Sequence, residues 1–529
     1  MRFLRTKEYL KTAYGKVPDV EYFTGDMEYI STYYEQCKAE QQDDFYIDET
    51  TWNDLNIDAV YQRINTGLST AGEQYLYYML HRHMNRHQFE QQNELVSLVE
   101  NEPDTRQKLQ DILYKVGSYR KVDITGVLRT QHTSPFWLSL YLLLVLMLPV
   151  SILLIVFCGV YGAIMMLVCL TVNGIVHEVR MHQCDLEIRT INYCVGLACA
   201  LRKIQKKQHP LIDPLLEDSY LHLNELHSVL NIGPVVITSK NDMMSIMMTT
   251  LLLDLITFEL LKNRLAKHHK DFFVIHEAVG QVDAAIAIAS FRKSMASWCI
   301  PQIDFETSKA FIHAKQVIHP LVDNPVPNDI ALDRPLLITG ANASGKSTYL
   351  KASILCALLA QTICTAPCAT YHASHFRLYT SMAISDNIRS GESYYIAEIK
   401  SLKRILDETG TRIPVLCAID EVLRGTNTIE RIAASTELLK ALANKGILCI
   451  AATHDAELCN LVDAEYEQAH FQETLTEDTV LFDYQIKPGM ATTRNAIDLL
   501  KLIGFDADIV AAAHNRANSY IQTGQWSIN

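Results

Sequence analysis

Leu336-Leu337-Ile338-Thr339-Gly340-Ala341-Asn342-Ala343-Ser344-Gly345-Lys346-Ser347-Thr348 reads as an apolar strand, a glycine-bounded loop and the start of a helix, the pattern G-x-x-x-x-G-K-[ST]. Gly340 and Gly345 let the backbone turn so that its N–H groups face phosphate oxygens, and the helix N-terminus adds positive potential. On this reading Gly340, Ala341, Asn342, Ala343, Ser344, Gly345, Lys346, Ser347 and Thr348 wrap the phosphates of ATP. Lys346 reaches the β- and γ-phosphates and the Ser347 hydroxyl ligates Mg²⁺.

The strand Pro414 to Ile419 delivers Asp420 and Glu421. Paired carboxylates at a strand end have separate tasks beside such a loop. Asp420 holds the Mg²⁺ shell, directly or through water, and Glu421 orients and deprotonates the attacking water. Ordinary strand termination is the alternative for an acidic pair standing alone. A third apolar run, Ile447 to Ala452, ends in Thr453-His454-Asp455, which sets His454 where it senses the γ-phosphate. Short apolar runs alternating with helices such as Ser347 to Gln361 and Ile429 to Asn444 predict a mostly parallel sheet with helical crossovers. Turn-rich residues from Pro320 to Asn328 mark the entry to this α/β domain.

Upstream the chain reads as mostly α, with helices over Glu73 to His83, Phe89 to Val99, Glu178 to Lys207, Glu217 to Leu230, Asp242 to Lys267 and Phe272 to Ser297. From Phe136 to Val176 about forty residues pass without a charged side chain, twice the roughly twenty that cross a bilayer. Pro149, Gly159 and Gly162 divide the run into helices near 137–156 and 158–176, joined by a turn around Cys158 to Gly162. Basic residues on both sides, Arg120, Lys121 and Arg129 before, Arg180, Arg189 and Arg202 after, place both ends in the cytoplasm, which a hairpin satisfies and one crossing does not. A buried core hairpin is the weaker alternative. Met243 to Leu261 carries Asp254 and Glu259 inside the apolar window and is expected to be a soluble core helix. Arg202, Lys203, Lys206 and Lys207 read as cytoplasmic flanks of the hairpin, with phosphate contact as the alternative.

The 529 residues are too many for one typical domain, and a net charge of −13 argues against coating DNA by bulk attraction. The 13 cysteines lack paired zinc spacing and read as buried free thiols of a reducing compartment. No apolar core follows Arg2, Arg5, Lys7 and Lys11, so no secretory signal peptide is expected.

Thr339 to Thr348, Asp420-Glu421-Val422-Leu423-Arg424-Gly425-Thr426-Asn427-Thr428 and Ala452-Thr453-His454 together resemble the phosphate loop, extended acidic motif and histidine switch of the MutS mismatch-repair ATPases. Ser385-Asp386-Asn387 and Gly391-Glu392-Ser393-Tyr394-Tyr395-Ile396-Ala397-Glu398 resemble that family's signature stretch. The resemblance implies an ABC-like P-loop ATPase domain after a helical core, and a dimer in which Ser393 reaches the other subunit's nucleotide. It also implies that Asn342 contacts the nucleotide and that Tyr484, in Phe482-Asp483-Tyr484, lies against the adenine. Upstream, His319-Pro320, Asn328-Asp329, Val282-Asp283-Ala284 and the stretch from Ile47 to Gly72 fit the family more faintly. Tyr394 stands where threonine is usual and Leu423 where glycine is usual. The family's mismatch-reading domain has no room before the lever-like segment, and Phe471-Gln472-Glu473, which fits that domain's wedge tripeptide, is read as coincidence.

The expected organisation is an N-terminal helical segment (1–46), a helical core in two parts (47–135 and 177–318) interrupted by a transmembrane hairpin (136–176), and the ATPase domain (319–529). The expected function is a homodimeric ATPase at the cytoplasmic membrane, its ATPase domain in the cytoplasm, touching membrane lipid and acting on DNA, mismatched or branched. The alternative is a membrane-embedded transport or remodelling machine that does not act on DNA.

Overall fold

The structure is a computed structural model that describes residues 2–23, 25–40, 45–119, 135–226, 242–341, 344–382, 394–408, 412–424, 426–475, 480–490, 497, 500, 504–523 and 526. The chain forms two compact units: a helical unit (1–44, 61–81 and 90–294) and a sheet unit (45–60, 82–89 and 295–529). These limits differ from the boundaries at 46 and 319 read from the sequence. The sheet unit draws in two short upstream segments and starts before Pro320, because strands on both sides of that turn-rich stretch pair into one sheet.

In the helical unit, His269–Ser294 is the central helix, buried along most of its length against Thr70–His81, whose twelve residues are all buried. Gly280 permits the approach: a Cβ there would lie 2.7 Å from Ala71 O. Asp283, fully buried, accepts from Leu68 N at 3.0 Å, Ser69 N at 2.8 Å and Ser69 Oγ at 2.6 Å, so it satisfies N–H groups leading into helix Thr70–His81. Burial pushes its carboxyl up to about 6.

The apolar run forms helices Pro135–Cys158 and Val160–Gln183, joined at Gly159 alone, whose φ of +55° lies in the left-handed region. The turn is thus shorter than expected, and the second helix continues past Val176 to Gln183 because no glycine or proline stops it there. Gly162 lets the helices touch, since a Cβ there would lie 2.2 Å from Ile155 N. The segment Glu178 to Lys207 is accordingly not one helix: a new one, Asp185–Gln205, starts after Cys184. Met243 to Leu261 also divides, into Asp242–Leu251 and Leu253–Lys267, at Leu252 with φ +48°. Leu252 and Leu255 are fully buried with Tyr141 of the hairpin, and this packing outweighs the strain at Leu252. Helix Glu217–Glu225 ends before the expected Leu230, with 227–241 outside the described residues.

The sheet unit contains β1 (Gln302–Asp304), β2 (Ile312–Val317), β3 (Asn328–Leu332), β4 (Leu336–Thr339), β5 (Thr370–Ser374), β6 (Arg377–Ser381), β7 (Val415–Asp420), β8 (Leu448–Ala452), β9 (Glu467–His470), β10 (Glu473–Leu475), β11 (Val480–Phe482) and β12 (Lys487–Pro488). A six-stranded sheet has the order β12-β9-β4-β8-β7-β6, parallel except for β12. A four-stranded sheet has the order β1-β5-β2-β3, and β10 pairs with β11. β4, β7 and β8 are buried at every position, as near-continuous apolar runs in a parallel sheet should be. At the β6 edge, Asp54 of helix Glu49–Asp54 accepts from Thr380 Oγ1 at 2.7 Å and Met382 N at 3.0 Å, so upstream residues occupy that edge.

Candidate nucleotide site

β4 leads through the loop into helix Lys346–Ile363. Gly340 and Gly345 have φ of +144° and +110°, and a Cβ at Gly340 would lie 2.7 Å from Phe471 O, so both positions need glycine. Lys346 Nζ donates to Gly340 O at 2.8 Å and Ala341 O at 2.7 Å, spanning the loop it would share with a phosphate. Burial pulls its ammonium below the usual lysine value, against the raising influence of Asp420, Glu421 and Glu473. Ser344 Oγ is buried without a hydrogen-bond partner among the described residues, an orphaned donor that suits a phosphate oxygen. Asn342 and Ala343 lie outside the described residues. Ser347 and Thr348 are exposed at the helix start.

β7 carries Asp420 to the loop, where Ser347 Oγ donates to its Oδ2 at 2.6 Å. A hydroxyl and a carboxylate are hard oxygen donors, and with phosphate oxygens and water they suit Mg²⁺. Glu421 follows with φ +59°, its N–H donating to Ala452 O of β8 at 3.0 Å. Its carboxylate pairs with Arg424 Nε on one oxygen and lies 2.9 Å from His454 Nε2 on the other. Thr453 N donates to Ile338 O at 2.9 Å, fixing the end of β8 beside β4 and thereby the position of His454. Arg431 grips Asp455 through two bonds of 2.9 and 2.7 Å on the outer wall of this pocket.

On the other side of the loop lies a cavity of about 380 Å³, lined among others by His319, Val326, Tyr349, Phe471 and Tyr484. Asn328 anchors it, donating to Tyr484 O at 2.9 Å and accepting from Ile486 N at 2.8 Å. Burial pulls His319 down to about 4, so its imidazole is neutral at pH 7 and the lining carries no positive charge there. Apolar walls with aromatic faces suit a nucleobase. The sequence reading placed Tyr484 here but missed Phe471. This residue follows β9, which runs parallel beside β4 and ends level with the loop. The short run before it was the available signal. Ser393, Gly425 and the segment 383–393 lie outside the described residues.

A parallel sheet whose C-terminal edge gathers a phosphate loop, a hydroxyl–carboxylate pair and a second acid defines a P-loop ATPase domain. Residues 336–520 match the family profile described as MutS domain V, and in this segment the chain is similar to the MutS family. Similar proteins carry the name DNA mismatch repair protein MutS. That of Natronomonas pharaonis is 33% identical over 250 residues, 45% of this chain and 28% of the relative. That of Thermus thermophilus is 32% identical over 200 residues, 37% and 24% respectively. That of Lactobacillus delbrueckii subsp. bulgaricus is 28% identical over 285 residues, 51% and 33%. The chain thus spans no more than 33% of the length of these relatives.

Proposed function

We propose that the chain is a membrane-anchored MutS-like ATPase, which hydrolyses ATP with Mg²⁺ as a homodimer with composite sites and couples that cycle to DNA at the cytoplasmic face of the membrane. One observation carries the hydrolytic reading: Ser347 Oγ and Asp420 Oδ2, 73 residues apart in sequence, meet at 2.6 Å with Glu421 next in the chain. Lys346, freed from Gly340 O and Ala341 O, turns to the β- and γ-phosphates. Glu421 orients water and takes its proton, and His454 and Arg424 hold that carboxylate until substrate arrives. Bound Mg²⁺ would neutralise charge on the β- and γ-phosphate oxygens. Tyr484 and Phe471 sandwich the base, and Ser393 reaches the partner's nucleotide.

The membrane assignment is supported by exposure. The hairpin helices are only 17% and 11% buried across their apolar windows, whereas the equally long apolar helix His269–Ser294 is 78% buried and belongs to a core. DNA as partner is supported by the similar proteins, which are named for DNA mismatch repair. The test is phosphate release by purified protein in lipid nanodiscs, with fluorescence anisotropy on duplex, mismatched and branched DNA. Absence of magnesium-dependent phosphate release refutes the ATPase reading. Hydrolysis without DNA affinity at low salt assigns the engine to membrane transport or remodelling instead.

A further inference from the structure

The acidic turn bends twice through the left-handed region without glycine: Glu421 and Leu423 both have φ +59°. A bulky residue holds that conformation only when its surroundings impose it. At Leu423 the imposing group is Glu398. Its Oε1 accepts from Leu423 N at 2.6 Å and from Arg424 N at 3.3 Å. The side chain is 7% exposed, and Oε2 is buried with no hydrogen-bond partner among the described residues. Burial raises its carboxyl above the usual value, partly offset by those two amides.

Two further contacts make the clamp relevant to chemistry. The residue after Leu423 is Arg424, whose guanidinium pairs with the Glu421 carboxylate. Ser435 Oγ donates to Val422 O at 3.2 Å, so the turn is held from a second side and Glu398 sets the remaining freedom. Glu398 itself stands on helix Tyr394–Asp407, which starts directly after Ser393. Any displacement of that helix therefore reaches the turn bearing Glu421 through one carboxylate.

We propose that Glu398 is a positioning residue of the hydrolytic site, which locks the Leu423–Arg424 turn so that Glu421 faces water, and which links the signature helix to that base. The inference rests on the ATPase reading given above. It is tested with full-length protein in nanodiscs by steady-state hydrolysis, ATP affinity and amide hydrogen exchange. Glu398→Ala lowers kcat by about tenfold or more, the scale of a positioned acid–base group, with KM for ATP within about threefold. Exchange at the Leu423 and Arg424 amides accelerates by about tenfold or more. Glu398→Gln, which keeps an acceptor oxygen, recovers most of the lost rate and protection. Adding Leu423→Gly to Glu398→Ala also recovers rate, because glycine adopts φ near +59° without a clamp.

A Glu398→Ala kcat within about twofold of wild type overturns the inference while leaving the ATPase reading intact. So does a loss that raises KM equally and is restored by neither Gln nor the Leu423→Gly change, since that pattern is damage to the fold. Wild-type protein that releases no phosphate overturns the ATPase reading, and the inference with it.

Discussion

Lys346 is the residue at which the proposed chemistry is most exposed to test, because its ammonium is buried and, among the described residues, donates to two carbonyl oxygens. Lys346→Ala is expected to abolish ATP binding in a fluorescent-nucleotide titration. Glu421→Gln is expected to retain binding within about threefold and to lower kcat by about a hundredfold or more, because an amide orients water and cannot take its proton. Full turnover by either variant sinks the assigned role. Phe471→Ala should raise KM for ATP by about tenfold, the effect of removing one stacking face worth about 1 kcal/mol or more, with little change in kcat. These three residues differ in how readable they were. The phosphate loop and Asp420-Glu421 are contiguous motifs whose geometry follows from local backbone rules. Phe471 reaches the loop only because β9 pairs with β4, a long-range event that a linear reading does not contain. Leu423 shows the opposite case: a departure from the family's glycine was visible in the sequence, and its positive φ shows what the departure costs.

Among elements, the hairpin depends on the close contact between its two helices. Gly162 faces the Leu154–Ile155 backbone so closely that a Cβ would meet Ile155 N at 2.2 Å and Leu154 C at 2.4 Å, whereas a Cβ at Gly174 would meet nothing within 4 Å among the described residues. Gly162→Leu must therefore separate the helices. It is expected to lower the thermal midpoint of detergent-solubilised protein by several degrees, the shift given by about 1–3 kcal/mol of overpacking. Gly174→Leu should leave that midpoint within about one degree. Equal effects from both would show that the helices do not pack as described. At the other end of the hairpin, Arg180 stacks on Trp137 at 3.9 Å and donates to Tyr141 OH at 2.8 Å, while His177 lies 2.6 Å from Asp254. This polar cluster is packed within the helical unit, with Tyr141 fully buried against Leu252 and Leu255. The apolar run made the hairpin legible. The breaks at Cys184 and Leu252 were not, because neither position carries glycine or proline and both are set by packing. Arg202 and Lys203 lie in the last turn of helix Asp185–Gln205, and Lys206 and Lys207 follow it.

At the scale of the whole molecule, the helical unit carries a pH dependence of its own. His81 and His276 are buried, and burial pulls both down to about 3, so the folded unit keeps them neutral. His276 has no hydrogen-bond partner on either ring nitrogen among the described residues and lies against the Tyr33 ring at 5.0 Å. The unfolded chain protonates such a histidine near its ordinary value of about 6.5, so between there and about 3 the unfolded state binds more protons. Stability is then complete above about pH 6.5 and is lost as pH falls, by on the order of 2 kcal/mol per histidine between pH 6.5 and 5. Asp283 acts with the opposite sign: its folded value of about 6 lies above the ordinary carboxylate range, so its contribution grows as pH falls through 6 and partly offsets the loss. The two histidines outweigh the one carboxyl, and the unit should be acid-labile near pH 5. His276→Phe keeps the ring contact with Tyr33 and removes the titration. Measured by thermal unfolding in detergent at pH 6.5 and pH 5, the difference between the two midpoints should shrink in this variant by several degrees, the shift given by about 2 kcal/mol. An unchanged difference would mean that the site opens and protonates without cost, and that His276 is not sealed in the core of the helical unit.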